Sequence, residues 1–181
     1  MSEIWFTSDT HFSHNAIQAF CPPTRLQGDI EEHDQRLIDN WNALVGPEDT
    51  VYHLGDFSFA TWSNTEEILK LLHGKINLIY GNHDKLLRKD TAGKYFHSRQ
   101  DYLIPKIDGV KVAMFHYPIL EWGSMHHGAF HLFGHVHSSY ATIGGRSMNV
   151  GIDARPTGDM CPWHWEEVKE FMKDKEILEH H

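Results

Sequence analysis

Short apolar runs that break off at polar turns dominate the chain. Glu3-Ile4-Trp5-Phe6-Thr7-Ser8 has the composition of a β-strand and leads straight into Asp9-Thr10-His11-Phe12-Ser13-His14-Asn15. Thr50-Val51-Tyr52-His53-Leu54 leads in the same way into Gly55-Asp56-Phe57, and Ile76-Asn77-Leu78-Ile79-Tyr80 into Gly81-Asn82-His83-Asp84. Between these strands the period changes. From Asp29 to Val45, residues Ile30, Leu37, Ile38, Trp41, Leu44 and Val45 share one helical face, with Asp29 and Glu32 at capping-box spacing and Gly46-Pro47 as the stop. Ser63 and Glu66 repeat that spacing ahead of Ile68, Leu69, Leu71 and Leu72, and Gly74 stands where this second helix should end.

The second half continues the alternation. Asp108-Gly109 between Tyr102–Ile107 and Val110–Phe115 predicts a hairpin whose second strand stops at His116. Phe130-His131-Leu132-Phe133 reads as a strand leading to Gly134-His135-Val136-His137. Gly144-Gly145 predicts another hairpin, ending near Asn149-Val150, and Pro162 predicts the opening of a last helix carrying Trp165, Val168, Phe171 and Met172. Neither a repeat nor a linker interrupts the chain, so one mixed α/β domain over residues 1–177 is expected. Leu178-Glu179-His180-His181 has the look of an expression-tag remnant.

Composition narrows the class. At 181 residues, 40% hydrophobic and 23% charged, the chain can bury a core of its own. Cys21 and Cys161 lack the paired spacing of a disulfide framework or a thiolate zinc site. No signal-like start and no membrane-length apolar run is present, which leads by default to a cytoplasmic location and no membrane partner. A net charge of −9 disfavours binding to extended duplex nucleic acid through a broad basic surface. Histidine is the anomaly, with sixteen in the chain.

The strand endings carry the candidate chemistry. Asp9, His11, Asp56, Asn82, His116, His135 and His137 all follow predicted strands, and they would converge on one rim if those strands lie side by side. Two carboxylates, four imidazoles and an amide oxygen without a thiolate suit manganese, iron, zinc or nickel better than calcium or copper(I). In the stretch after the third strand, Gly81 can take backbone angles closed to other residues, and Asp84 could orient the His83 imidazole. From that stretch alone a metal site and an acid catalyst both stay open.

Asp9-x-His11, Gly55-Asp56, Gly81-Asn82-His83-Asp84, the isolated His116 and Gly134-His135-x-His137 occur in the order of the calcineurin-like metallophosphoesterases, which the chain resembles from Ile4 to Asp153. The wording Thr-Ser-Asp-Thr-His-Phe-Ser-His and Tyr-His-Leu-Gly-Asp-Phe is similar to the small stand-alone bacterial and phage members. The resemblance implies a four-layer αββα sandwich and two divalent metal ions, manganese first. Asp9, His11 and His137 would hold one ion, Asn82, His116 and His135 the other, and Asp56 would bridge them. It further implies in-line attack on phosphorus by a hydroxide shared between the metals, with His83 bonding the phosphate or protonating the leaving oxygen.

The substrate is read less sharply. His14 and Asn15 could touch phosphate from beside the first ligand pair, and Trp122, His126 and His127 could overhang the site from a Gly-rich segment. His53 reads as packed against the ligands and not as one of them. The short block Gly55-Asp56-Phe57-Ser58-Phe59 and the residue Asp84 depart from the pattern of protein serine/threonine phosphatases. A small phosphate ester, nucleotides included, is the expected substrate. A phosphodiester is favoured over a monoester because no Lys or Arg adjoins a ligand block, Arg36, Lys85 and Arg88 being the nearest.

Overall fold

The computed structural model describes residues 2–179. Of the tag-like stretch, His180 and His181 lie outside the described residues. A first sheet has the order β10-β1-β2-β3-β4, built from β1 (Ile4–Thr7), β2 (Thr50–His53), β3 (Lys75–Ile79), β4 (Ser98–Gln100) and β10 (Trp163–His164). Its strands run parallel except for β10, which pairs antiparallel with β1. The second sheet follows β5 (Tyr102–Leu103), β7 (Val110–Phe115), β8 (Phe130–Phe133) and β9 (Ser147–Asn149), with β6 (Lys106–Ile107) also on β7. Here β7, β8 and β9 are parallel, so both sheets direct their carboxyl ends to one rim.

Strand alternation distributes the apolar residues between layers. Trp5, Val51, Ile76 and Leu78 pack with Leu37, Ile38, Trp41, Ile68 and Leu69 of α2 (Ile30–Leu44) and α3 (Trp62–Leu71). Phe6, Leu54 and Ile79 join Val112, Met114, Leu132 and Met148 of the second sheet, together with Trp165, Val168 and Met172 of α4 (Trp165–Met172). A sheet buried on both faces needs this continuous apolar supply, which the strand sequences contain. On the outer side of the second sheet, Ala113 is covered by Trp122, Met125 and Ala129 around a 3-10 turn at Met125–His127. The result is the layered α/β sandwich of the metallophosphoesterase type. No helix among the described residues is long and apolar enough to cross a membrane.

Several local expectations are corrected. Asp29 caps α2 through the Glu31 N–H at 2.8 Å, one residue before the position a capping box uses. Thr61, not Ser63, caps α3. Residues 102–107 do not form one strand, because Ile104-Pro105 separates β5 from β6; the Asp108-Gly109 turn does join β6 to β7, with Ile107 opposite Val110. The Gly144-Gly145 segment makes no hairpin, since β9 joins β8 in parallel. Pro162 does not open the last helix; His164 caps it reciprocally with Glu167. The helix α1 (Asn15–Phe20) and strand β4 were not anticipated.

Candidate metal centre

The two loops after β1 and β2 extend the sheet's pairing past the strands. Asp9 N–H donates to Gly55 O at 2.9 Å, His11 N–H to Asp56 O at 3.1 Å, and Phe12 N–H to Phe57 O at 3.0 Å. The second sheet is tied to this pair by the His135 N–H on Asp9 Oδ2 at 2.9 Å and by Ile152 N–H on Ser8 O at 3.2 Å, while Gly134 N–H on His116 O at 2.9 Å extends its own pairing past β7 and β8. Asp9, His11, Asp56, His135 and His137 all have φ between 49° and 70°. Non-glycine residues in this left-handed region carry backbone strain, and five of them at one rim mark a geometry maintained by its surroundings.

Glycine precedes the ligand-type residues for want of space. A Cβ on Gly81 would stand 2.2 Å from Asp56 Oδ1, and one on Gly134 would stand 2.4 Å from Asp9 Oδ2. Gly81 is not in the left-handed region, so the expectation that it supplies unusual backbone angles gives way to close approach.

Two groups of side chains result, Asp9 with His11 and His137, and Asp56 with His116 and His135, each with ligand atoms within 4.8 Å of one another. Asp56 Oδ2 lies between them, 3.7 Å from His11 Nε2 and 3.5 Å from His116 Nε2. Asn82 Oδ1 is 3.1 Å from His116 Nε2. His116 directs Nδ1 to Leu54 O at 2.7 Å, which leaves Nε2 to face the centre. Among the described residues, His11 Nε2 is buried without a hydrogen-bond partner, 3.8 Å from Asp9 Oδ1. A buried nitrogen aimed between two carboxylates at non-bonding distance fits a cation in the gap.

The charges agree. Burial works against ionisation of Asp9 and Asp56, yet the surrounding imidazoles hold Asp9 below the usual carboxylate range and bring Asp56 down to about 2. On His116 burial is likewise opposed by Asp56 and Asp9, and the net direction is up. His137 is lifted to about 10 against its burial, chiefly by Asp153. Positive charge is thus favoured at His116 and His137, beside the carboxylates, whereas burial holds His135 down.

His83 sits over this centre from the solvent side, its side chain 45% exposed and Nε2 4.0 Å from Asp56 Oδ2. Its own N–H donates to Asp56 Oδ1 at 2.9 Å. Asp84 does not orient it. The buried Asp84 carboxylate accepts the N–H groups of Gly81 at 2.8 Å, Asp56 at 2.9 Å and Phe57 at 2.9 Å, so it shapes the loops that carry Asp56 and Asn82. It is a positioning residue and not a catalytic one.

The other anticipated contacts divide. His14 lies beside the centre, Nδ1 3.2 Å from His11 Nδ1 and its ring stacked on Phe59 at 3.9 Å, and burial pushes it down to about 4. Asn15 opens α1 next to it and is exposed. Trp122 is a core residue, 6% exposed, its Nε1 donating to Ala129 O at 2.9 Å. His127 lines a cavity with Gly109 and Val110 at the amino end of β7, opposite the metal rim, and His126 precedes it in the same 3-10 turn. A segment long enough to overhang the site instead covers the outer face of the second sheet. His53 is buried and bonds Thr10 Oγ1 at 2.9 Å and the Gly55 N–H at 3.2 Å, locking the first two loops together.

Four neighbours escaped the sequence reading. Asp153 accepts from His137 Nδ1 at 2.8 Å and from Arg25 Nη2 at 2.6 Å, with Asp153 and Arg25 shielded from water and His137 partly exposed. Arg25 also reaches Asp9 O at 2.6 Å and Thr10 O at 2.9 Å. Cys21 and Asp153 cluster with His137, but the Asp153 carboxylate is already saturated by Arg25 and Thr24, so it backs the His137 ring and has no oxygen to spare. Asp153 follows β9 as the ligands follow their strands, a signal that was there to use; Arg25 offered none. Phe59 and Tyr117 are partly exposed rings beside the centre, 4.5 Å from His83 and 4.5 Å from His135 respectively.

Comparison with known proteins places this geometry. An uncharacterised protein of Methanocaldococcus jannaschii is 32% identical over 142 residues, covering 77% of this chain and 72% of its own. A solved Aquifex aeolicus protein of unknown function matches with TM-score 0.72 at 27% identity, over 94% of this chain and 100% of that one. A solved archaeal phosphodiesterase shares the fold with TM-score 0.50 at 19% identity, over 82% and 83%. The family description "calcineurin-like phosphoesterase superfamily domain" matches residues 3–151. The chain belongs to that superfamily, whose members are metal-dependent hydrolases of phosphoric esters.

Proposed function

We propose that this protein is a phosphodiesterase working through two divalent cations, one held by Asp9, His11 and His137, the other by Asn82, His116 and His135, with Asp56 between them. The observation that carries the reading is the partnerless His11 Nε2 buried between Asp9 and Asp56. Oxygen and imidazole donors without thiolate favour manganese, with iron, zinc and nickel compatible. When bound, such ions supply an acidified water and positive charge for the phosphoryl oxygens.

The chain's own groups do the rest. Asp56, backed by the His83 N–H and held ionised, fixes the separation of the two groups of ligands. His83 Nε2, exposed above Asp56, is placed to bond a phosphoryl oxygen or to give a proton to the leaving oxygen. Tyr117 O–H donates to Asn82 Oδ1 at 3.3 Å and holds that amide toward the centre.

A diester fits the scarcity of available cations. Arg25 is buried and committed to Asp153, and Arg88 is turned to Asp101 and stacked over Tyr80 at 4.0 Å. Arg36 lines a separate cavity with Asn40 and Asp159. Lys85, exposed two positions after His83, is the cation left to serve a monoester's extra charge. A small nucleotide diester suits the partly exposed rings of Phe59 and Tyr117, whereas duplex nucleic acid does not suit a chain of net charge −9. Comparing kcat/KM for matched diester and monoester substrates at equal metal loading tests the choice. The expected result is a diester preference unaffected by Lys85→Ala; a monoester preference that Lys85→Ala removes would replace it.

A further inference from the structure

At the opposite end of the second sheet from the metal rim lies a cavity of about 310 Å3 between the β6–β7 turn and the 3-10 turn at Met125–His127. Lys106, Lys111, Arg146, His127 and Ser124 line it, and among the described residues no carboxylate does. Lys106 and Lys111 are direct cross-strand partners in the hairpin. Like charges so placed repel, which is an odd choice in a chain with 25 acidic residues available.

Among the described residues, Lys106, Lys111 and Arg146 form no ion pair, whereas Arg25, Arg88, Arg155 and Lys169 each do. Asp108, in the turn beside the cavity, is directed to Trp165 Nε1 at 2.8 Å and to Lys169 at 3.6 Å. Lys111 Nζ donates to Ser124 Oγ at 2.9 Å, which steadies the ammonium at the wall. Arg146 is anchored through Nε to Lys175 O at 3.4 Å and through Nη1 to Gly128 O at 3.5 Å, leaving Nη2 for a ligand.

We propose that this cavity is a second, non-catalytic binding site for a small phosphorylated anion, gripped by Arg146, Lys106 and Lys111. Guanidinium and ammonium donors around a small cavity match phosphate oxygens by charge-assisted hydrogen bonds. The six residues of β7 separate it from His116 by roughly 20 Å, so its occupant is not the ester at the metal rim. The inference does not rest on the phosphodiesterase reading.

Titrating the isotope-labelled full chain with inorganic phosphate, followed by amide NMR with zinc present and again with chelator, separates the two ends. Saturable shifts at Gly109, Ser124 and Gly128 are expected under both conditions, independent of any shifts at Asn82 and His135. Arg146→Gln and Lys111→Gln should each weaken the binding roughly 10-fold, and Lys85→Gln should leave it unchanged. Lys111 is exposed, so its variant keeps the test valid if Arg146→Gln folds poorly. Absence of a saturable response at the three amides, or an affinity unaltered by Lys111→Gln, overturns the assignment.

Discussion

His137 Nδ1 and Asp153 Oδ2 lie 2.8 Å apart, with Arg25 closing on the same carboxylate from the other side. The pair fixes the ring of His137, which we propose as a metal ligand. Carboxylates behind a ligating histidine raise its basicity and orient it, typically for a factor of roughly 10–100 in metal affinity. Asp153→Asn should therefore weaken one of two manganese sites by that factor in a calorimetric titration, while the other site holds. Two sites of unaltered affinity would reduce Asp153 to a packing role.

His83 separates chemistry from assembly. Because it touches Asp56 only through its N–H and hovers 4.0 Å from the carboxylate, His83→Ala should retain its metals and lose roughly 10²–10⁴ in kcat. Metal analysis of the purified variant decides; depletion to the level of Asp56→Ala would make His83 a ligand.

Asp84 should behave as a structural residue. Asp84→Ala orphans three buried N–H groups, at roughly 1–3 kcal/mol each, so denaturant unfolding should show a loss of several kcal/mol. The pH–rate profile of whatever folds should keep its shape. A stable variant with a displaced profile would restore Asp84 to the chemistry.

His131 should make the fold acid-sensitive well before the carboxylates titrate. It is fully buried between Ala113 O at 3.1 Å and the Ile119 N–H at 3.2 Å, and burial pushes it down to about 4 from 6.5. Between those values the unfolded chain takes up a proton that the folded one refuses. Stability is then complete above about pH 6.5 and falls as pH drops toward about 4, by a total on the order of 3 kcal/mol. His131→Gln should reduce the dependence of Tm on pH over this window, the buried His53 supplying a further part of the same sign; an unchanged slope would assign the acid sensitivity elsewhere.

How far the sequence reveals the molecule follows from the range of the forces involved. Strands that end in polar turns were legible because period-two burial and glycine punctuation are local, and so the positions of Asp9, Asp56, Asn82, His116 and His135 could be read. Thr61 in place of Ser63 as a cap, and β9 in parallel in place of a hairpin, depend on tertiary pairing that no window contains. Arg25 meets Asp153 across 128 positions, and Asp84 meets Phe57 across 27, which is why their positioning roles were hidden or misread. Trp122 looked like a site residue because aromatic and Gly-rich segments often are; burial against Ala113 and Met125 decided otherwise.

The most direct measurement is metal stoichiometry by elemental analysis, on the wild-type chain and on Asp56→Asn, after equilibration with manganese and removal of the excess. Asp56 stands 3.7 Å from His11 of one group and 3.5 Å from His116 of its own, and it is the residue proposed to bridge the two ions. Two ions per wild-type chain, and at most one in Asp56→Asn with hydrolysis of the diester lost, is the predicted result. Fewer than two ions in the wild type, or two in Asp56→Asn, would contradict the dinuclear centre on which the account stands.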